Sequence, residues 1–271
     1  RDEAVWPKAN PSVGAIVTWT YLREQVKEAG NIPSSANLVK RLNFCLWTEQ
    51  ITRWLDMERW DACGGAIDFD ALHGERCFLG LDLASRRDFT AAALWFPKQK
   101  IVLPYFWVPK DMTMRTEQEK EMIRKWADAG LVRLTEGNIT DYDAVRLDIL
   151  DIVRPYQLEE LPYDQWNATQ LATQLQRDGI TVVPIQQGGA GMSEAAKELE
   201  AMVTAGALRH GANAVLRWMA SNVGTWEDRQ GNIKLDRERS GDRIDGIVAL
   251  VMAIARAMVS QDEGEPGVFF L

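Results

Sequence analysis

A chain of 271 residues, 46% of them hydrophobic, is long enough to bury one large core or two smaller ones, and it reads as a soluble globular protein with no signal peptide and no apolar run of transmembrane length. With 31 Lys plus Arg against 39 Asp plus Glu the net charge is −8, which excludes a uniformly basic coat for nucleic acid but leaves room for phosphate chemistry conducted through cations held by carboxylates. Cys45, Cys63 and Cys77 are odd in number, far apart and without a Cys/His cluster, so neither a disulfide framework nor a zinc site is expected, and the natural setting is a reducing cytoplasm.

Residues 1–75 are punctuated by Pro7, Pro11 and Pro33 and otherwise have helical spacing. Trp19 to Ala29 is one expected helix, and Ser35 to about Arg59 holds one or two more, with Leu38, Leu42, Leu46 and Trp47 on an apolar face. Gly64-Gly65 and Asp68-Phe-Asp70 resemble a linker, so 1–75 is expected to be a small helical arm, 76–260 the main domain and 261–271 a tail. From Cys77 the pattern changes to strands and helices in alternation. Three successive strands are expected at Phe78–Leu83, Thr90–Phe96 and Lys100–Val108, then a helix at Glu117–Ala129 closed by Gly130 and a short strand at Leu131–Thr135. A helix over Asp141–Tyr156 follows, then a brief strand at Leu161–Trp166, a helix at about Ala168–Asp178 and a strand at Ile180–Ile185, a βαβ spacing. The glycine-rich loop Gln186–Met192 lacks the Lys-Ser/Thr of a P-loop and does not fit GxGxxG. Helices at Ser193–Leu208, opened by Ser193, and at Ala214–Trp226, a strand at Asn232–Leu235 and a last helix at Ile244–Val259 complete the pattern.

Asp82 interrupts the apolar run of Leu79, Leu81 and Leu83, where an unpaired ionised carboxylate would cost several kcal/mol if buried. Its partner could be a lysine or arginine, backbone N–H groups, or a divalent metal held with other carboxylates; alternatively it caps the turn over Ser85 to Asp88. Asp164, at the end of a strand, and Asp245, at the start of the last helix, share its character, although each could simply cap a helix, Asp245 together with Asp242. Strand ends and helix N-termini on one edge of an α/β sheet are where sites assemble, so the three can meet. Clustered carboxylates repel unless cations lie between them, and an all-oxygen ligand set suits Mg²⁺ or Mn²⁺. The chemistry that fits is phosphodiester hydrolysis with two metal ions about 3.5–4 Å apart. His73 and His210, the two histidines, lie in no metal or triad motif, which weakens acyl-transfer and zinc-hydrolase readings. Asp242 and Asp88 are candidate auxiliary carboxylates, and Arg86, Arg87 and Arg243 are candidate contacts to DNA phosphates.

Gly80-Leu-Asp-Leu-Ala-Ser-Arg-Arg-Asp-Phe-Thr-Ala91, Tyr163-Asp-Gln-Trp-Asn-Ala168 and Asp242-Arg-Ile-Asp-Gly-Ile-Val-Ala249, in that order and spacing, resemble the C-terminal nuclease domain of the large terminase subunit of tailed bacteriophages. The resemblance covers most of 75–260, and residues 1–60 are similar to the region that follows the motor domain in such proteins. It implies an α/β, RNase H-like fold: a mixed sheet with three antiparallel leading strands, flanked by helices and preceded by the helical arm. It also implies an endonuclease that cuts concatemeric viral double-stranded DNA during genome packaging in the host cytoplasm, with the small terminase subunit and the portal as partners and no membrane. The family's metal-binding acids map onto Asp82, Asp164 and Asp245, so Asp82 is expected to bridge two ions, with Asp164 and Asp245 each completing one. No GxxxxGK[ST] occurs, so no ATPase is expected in this chain, which reads as a nuclease region following a missing motor domain. Two other readings stay open: another RNase H-like enzyme such as a junction resolvase or recombinase, and a non-catalytic docking module of the packaging motor.

Overall fold

The computed structural model describes residues 3–31, 39–40, 42–45, 54–83, 89–111, 116–186, 190–228, 230–237 and 239–262. Helix α1 (Trp6–Ala9) and helix α2 (Trp19–Asn31) come first, with Trp6 against Trp19 and Phe44 at ring-centroid distances of 6.2 and 5.4 Å. Leu42, expected on an apolar face, is 66% exposed, and Leu38, Leu46 and Trp47 lie outside the described residues. Helix α3 (Met57–Ala62) is started by Asp56, whose carboxylate accepts from the N–H groups of Glu58 and Arg59. Trp54, Leu55, Trp60 and Cys63 around it are buried in the main core. The expected arm of 1–75 is therefore not separate throughout, since Trp54, Leu55, Trp60 and Cys63 pack into the main core while Phe69 stays exposed. The linker-like stretch likewise ends in a 3₁₀ turn, Asp70–Leu72, whose Leu72 is buried.

Six strands form the sheet in the order β4–β3–β2–β1–β5–β6. β1 (Arg76–Asp82), β2 (Thr90–Phe96) and β3 (Ile101–Pro109) are an antiparallel meander, while β4 (Arg133–Thr135), β5 (Gln157–Asp164) and β6 (Val182–Ile185) join in parallel. The intervening helices are α4 (Glu117–Asp128), capped by Thr116, α5 (Tyr142–Val153), capped by Asp141, and α6 (Gln165–Arg177). This is the mixed, helix-flanked sheet expected from the sequence. β1 sits in the middle and is buried on both faces from Cys77 onward, which is why it reads as an almost continuous apolar run.

Side chains alternate across a strand, so residue parity sorts β1 between two cores. Leu79 and Leu81 join Val145 and Ile149 of α5 and Leu171 and Leu175 of α6 on one face. Phe78 lies on the other face, with helix α7 (Ala190–Thr204), helix α8 (Ala214–Asn222) and helix α9 (Asp245–Asp262). α9 is apolar nearly all round and crosses β1 at Gly80, where a Cβ would lie 1.8 Å from the Ala249 carbonyl oxygen. Gly246 is tight as well, with a Cβ there 2.8 Å from the Phe106 ring. Two glycines thus bring the helix backbone directly onto the sheet.

Two elements differ from expectation near the C-terminus. α7 starts at Ala190, three residues before Ser193, whose hydroxyl instead accepts from the Ile233 N–H at 2.9 Å. The helix expected to run to Trp226 stops at Asn222, and an antiparallel hairpin of β7 (Gly224–Glu227) and β8 (Ile233–Asp236) follows. Its base is clamped: Gly224 N–H donates to the Ser240 hydroxyl at 3.0 Å, Gly241 N–H donates to the Asn222 carbonyl at 2.9 Å, and a Cβ on Gly224 would lie 2.4 Å from the Arg239 carbonyl oxygen. That tertiary closure overrides the helical pattern, which periodicity alone could not reveal.

Gly80→Ala is expected to push α9 off the sheet and to cost at least the upper part of the ~1–3 kcal/mol typical of overpacking, because the neighbour is backbone and cannot rotate away. Thermal melts should show Tm lower by on the order of 5 °C or more; an unchanged Tm would contradict the close packing. A second expectation concerns His210, which is buried and stacked on Trp60 at 4.6 Å with Nε2 donating to the Trp60 carbonyl at 2.7 Å. Burial holds its pKa below the ordinary 6.5. The unfolded chain therefore binds the proton first, so stability present above about 6.5 is lost as pH falls through the folded value. Chemical denaturation across this range should show a shallower acid loss in His210→Gln than in the parent chain.

Candidate active site

Asp82 is the last residue of β1 and Asp164 the last of β5, and because the two strands are parallel and adjacent, with Leu81 opposite Tyr163, both carboxylates lie at the same end of the sheet. They also lie on the same face. Arg76, Phe78, Gly80 and Asp82 have the parity that faces α9, and on β5 Glu160 marks this face by its ion pair with Arg256 of α9 at 2.6 Å. α9 runs back along β1: Ser260 accepts from Arg76 at 2.5 Å, Ala249 touches Gly80, and its first residue, Asp245, arrives beside Asp82. A carboxylate in the first turn also has the sign favoured by the helix dipole.

Asp82 and Asp245 are each 1% exposed and Asp164 is 8% exposed. Burial, and then the neighbouring Asp245, push the Asp82 carboxyl well above the ordinary carboxylate range; Arg237 opposes this and Asp164 adds to it. Asp82 thus senses both other acids, as a shared acidic centre requires. Among the described residues, a cation enters it as Arg237, the residue that follows β8. One guanidinium nitrogen donates to Asp245 Oδ1 at 2.7 Å and the other to Asp82 Oδ2 at 2.5 Å.

Arg237 had no sequence signature. The only pointer to it was the general need of a buried Asp82 for a partner, because its position depends on the hairpin base and not on local spacing. The remaining candidates are distributed differently. Arg243 is 8% exposed, is held by Glu119 of α4 and lies over the Phe89 ring at 5.4 Å, so it anchors α4 to the start of α9 and is not presented to a duplex. Asp242 is half-buried and 3.7 Å from the Arg243 guanidinium. Arg86, Arg87 and Asp88 lie outside the described residues.

The donor set is all oxygen, acidic and buried, with more negative charge than Arg237 offsets, which fits a hard divalent ion such as Mg²⁺ or Mn²⁺. Among the described residues no three His, Cys, Asp or Glu side chains are drawn together as a finished metal cage. Arg237 is the positive charge that the structure holds between Asp82 and Asp245. Also among the described residues, no helix is long and apolar enough to cross a membrane.

The sequence is 30% identical over 258 residues to the large terminase subunit of Enterobacteria phage HK97, covering 93% of this chain and 51% of that protein. It is 29% identical over 278 residues to protein YmfN of Escherichia coli K12, covering 97% of this chain and 61% of the relative. The crystal structure of the HK97 large terminase superposes with a TM-score of 0.66 at 29% identity, over 94% of this chain and 54% of that one. The chain thus spans about half to three-fifths of the length of these relatives. The model of the family described as "Terminase large subunit, endonuclease domain" matches residues 1–261. This chain therefore belongs to the endonuclease-domain family of terminase large subunits.

Proposed function

We propose that the chain is a metal-dependent endodeoxyribonuclease that cleaves concatemeric viral double-stranded DNA during genome packaging, with Asp82, Asp164 and Asp245 as its catalytic carboxylates. The observation that carries this reading is the placement of the three acids, from two strand ends and one helix start, at one buried end of the sheet, with Asp164 on the strand beside Asp82 and with Asp82 and Asp245 joined through Arg237. Isolated helix caps would give no reason for that placement. The same observation favours the enzyme over a docking module, for which three buried repelling carboxylates would be a cost without a return.

Asp82, Asp164 and Asp245 would hold two Mg²⁺ or Mn²⁺ ions. When bound, such ions act as Lewis acids toward a phosphodiester and make water a competent nucleophile near neutral pH. The chain's own residues do the positioning. β1 and β5 fix Asp82 and Asp164 at neighbouring strand ends, and Gly80 and Gly246 seat α9 so that Asp245 completes the set. The chain's acidic balance, with a net charge of −8, leaves little basic area for reading bases, so cleavage should have weak sequence preference. Targeting would come from the packaging assembly, with the small terminase subunit and portal as partners in the host cytoplasm.

A plasmid-cleavage assay in EDTA, Mg²⁺ and Mn²⁺ tests the proposal. Cleavage of supercoiled and linear DNA is expected with either metal and not with EDTA. Asp82→Ala, Asp164→Ala and Asp245→Ala should each lower the rate by at least about a hundredfold. Retained cleavage in all three would overturn the assignment. A companion expectation concerns the metal-free fold. Because the Asp82 carboxyl is raised, its contribution to stability is full below the ordinary carboxylate range and is lost as pH rises through the folded value. Asp82→Asn should therefore have a higher Tm than the parent at neutral pH without metal, and should lose the Tm increase that Mn²⁺ gives the parent.

A further inference from the structure

The residue at the centre of the acidic edge is an arginine that the carboxylate reading does not use. Arg237 is 48% exposed, yet its two terminal nitrogens reach inward to Asp82 and Asp245, whose side chains are 1% and 2% exposed. A planar guanidinium offers a fixed fork of donors, so one side chain satisfies an oxygen on each acid at once, which a lysine could not do. The fork is aimed by the hairpin. Arg237 follows β8 directly, Ser193 holds Ile233 at the other end of that strand, and the hydroxyl of Ser240 ties the next turn both to the Asp236 carbonyl at 2.7 Å and to the N–H of Gly224. The base of the hairpin thus delivers a positive charge into the acidic centre from the solvent side.

We propose that Arg237 is the resident counter-ion of this centre and competes with divalent metal for Asp82 and Asp245, so that it sets the metal concentration at which the centre loads. This rests on the metal-centre reading above. The guanidinium takes one oxygen of each acid, so a divalent cation held by the same two carboxylates would come to close range of it, where like charges repel strongly. Metal binding therefore disfavours the inward guanidinium, and the half-exposed side chain has solvent to move into. Without metal the arginine does what a cation must do there, which is to offset the repulsion between the buried acids.

Two variants, Arg237→Gln and Arg237→Lys, are titrated with Mn²⁺ by calorimetry beside the parent chain and Asp82→Ala, with thermal melts in EDTA and in Mn²⁺. Competition predicts that Arg237→Gln binds Mn²⁺ about tenfold more tightly than the parent. It should melt lower in EDTA and show a larger Tm increase on Mn²⁺ addition, with Arg237→Lys intermediate in both. If Arg237→Gln does not fold without metal, folding rescued by Mn²⁺, together with tighter binding in Arg237→Lys, supports competition equally. Mn²⁺ binding that is lost in Asp82→Ala but unchanged or weaker in both Arg237 variants overturns competition while leaving the metal centre standing. Absence of Mn²⁺ binding in the parent and in every variant overturns the metal centre, and competition with it.

Discussion

The arrangement depends on one close approach: the backbone of α9 lies directly against β1 at Gly80, with no room for a single methyl group between them. An ordinary helix-on-sheet contact is kept apart by side chains on both elements, and here the strand contributes none. Because α9 runs antiparallel to β1 and is tied to it at Arg76, at Gly80 and at its own first residue, its axial register on the sheet is fixed. That register decides where Asp245 stands relative to Asp82. A shift of one helical turn, about 5.4 Å, would leave Asp82 facing an apolar side chain.

The sheet supplies the rest by parity. The acids of β1 and β5 end their strands in step, on the face that α9 covers, and the opposite face is filled by α5 and α6 with Leu79 and Leu81 at the contact. The partly buried ion pair of Glu160 and Arg256 reinforces the same alignment toward the far end of α9. In this setting Arg237 has a clear physical role. Carboxylates buried at one end of a sheet are costly without a positive charge, and the hairpin brings one to Asp82 and Asp245 from outside the sheet. Assembly of the site and the partial offset of its charge are therefore supplied by different parts of the chain, the first by the core and the second by the hairpin that carries Arg237.

Much of this was legible in the sequence, and the reasons are specific. β1 to β3 could be read because short connections and apolar runs leave few alternatives for a meander, and Asp82 stood out because its neighbours are leucines. Asp164 and Asp245 were legible as interruptions of the same kind, and the order of the three motifs pointed to the terminase nuclease family that the chain proves to belong to. What could not be read was set by contacts between distant segments. Trp54 and Trp60 look like helix residues of an arm until the core that receives them is assembled. β7 continues a helical pattern that runs to Trp226 and is separated from it by a clamp that involves Ser240 and Arg239, whereas β8 lies where a strand is expected. Arg243 has the sequence setting of a surface arginine, and Glu119 and Phe89, more than a hundred residues away, help to make it a buried anchor.

The central claim is that Asp82, Asp164 and Asp245 form one cation-binding centre. Anomalous diffraction from crystals of this chain soaked in Mn²⁺ tests it most directly. Manganese peaks in contact with all three carboxylates, with the Arg237 guanidinium moved out of contact with Asp82 and Asp245, are the expected result. Soaked crystals in which manganese is absent from these carboxylates, or binds only elsewhere, while Arg237 keeps both ion pairs, would contradict it.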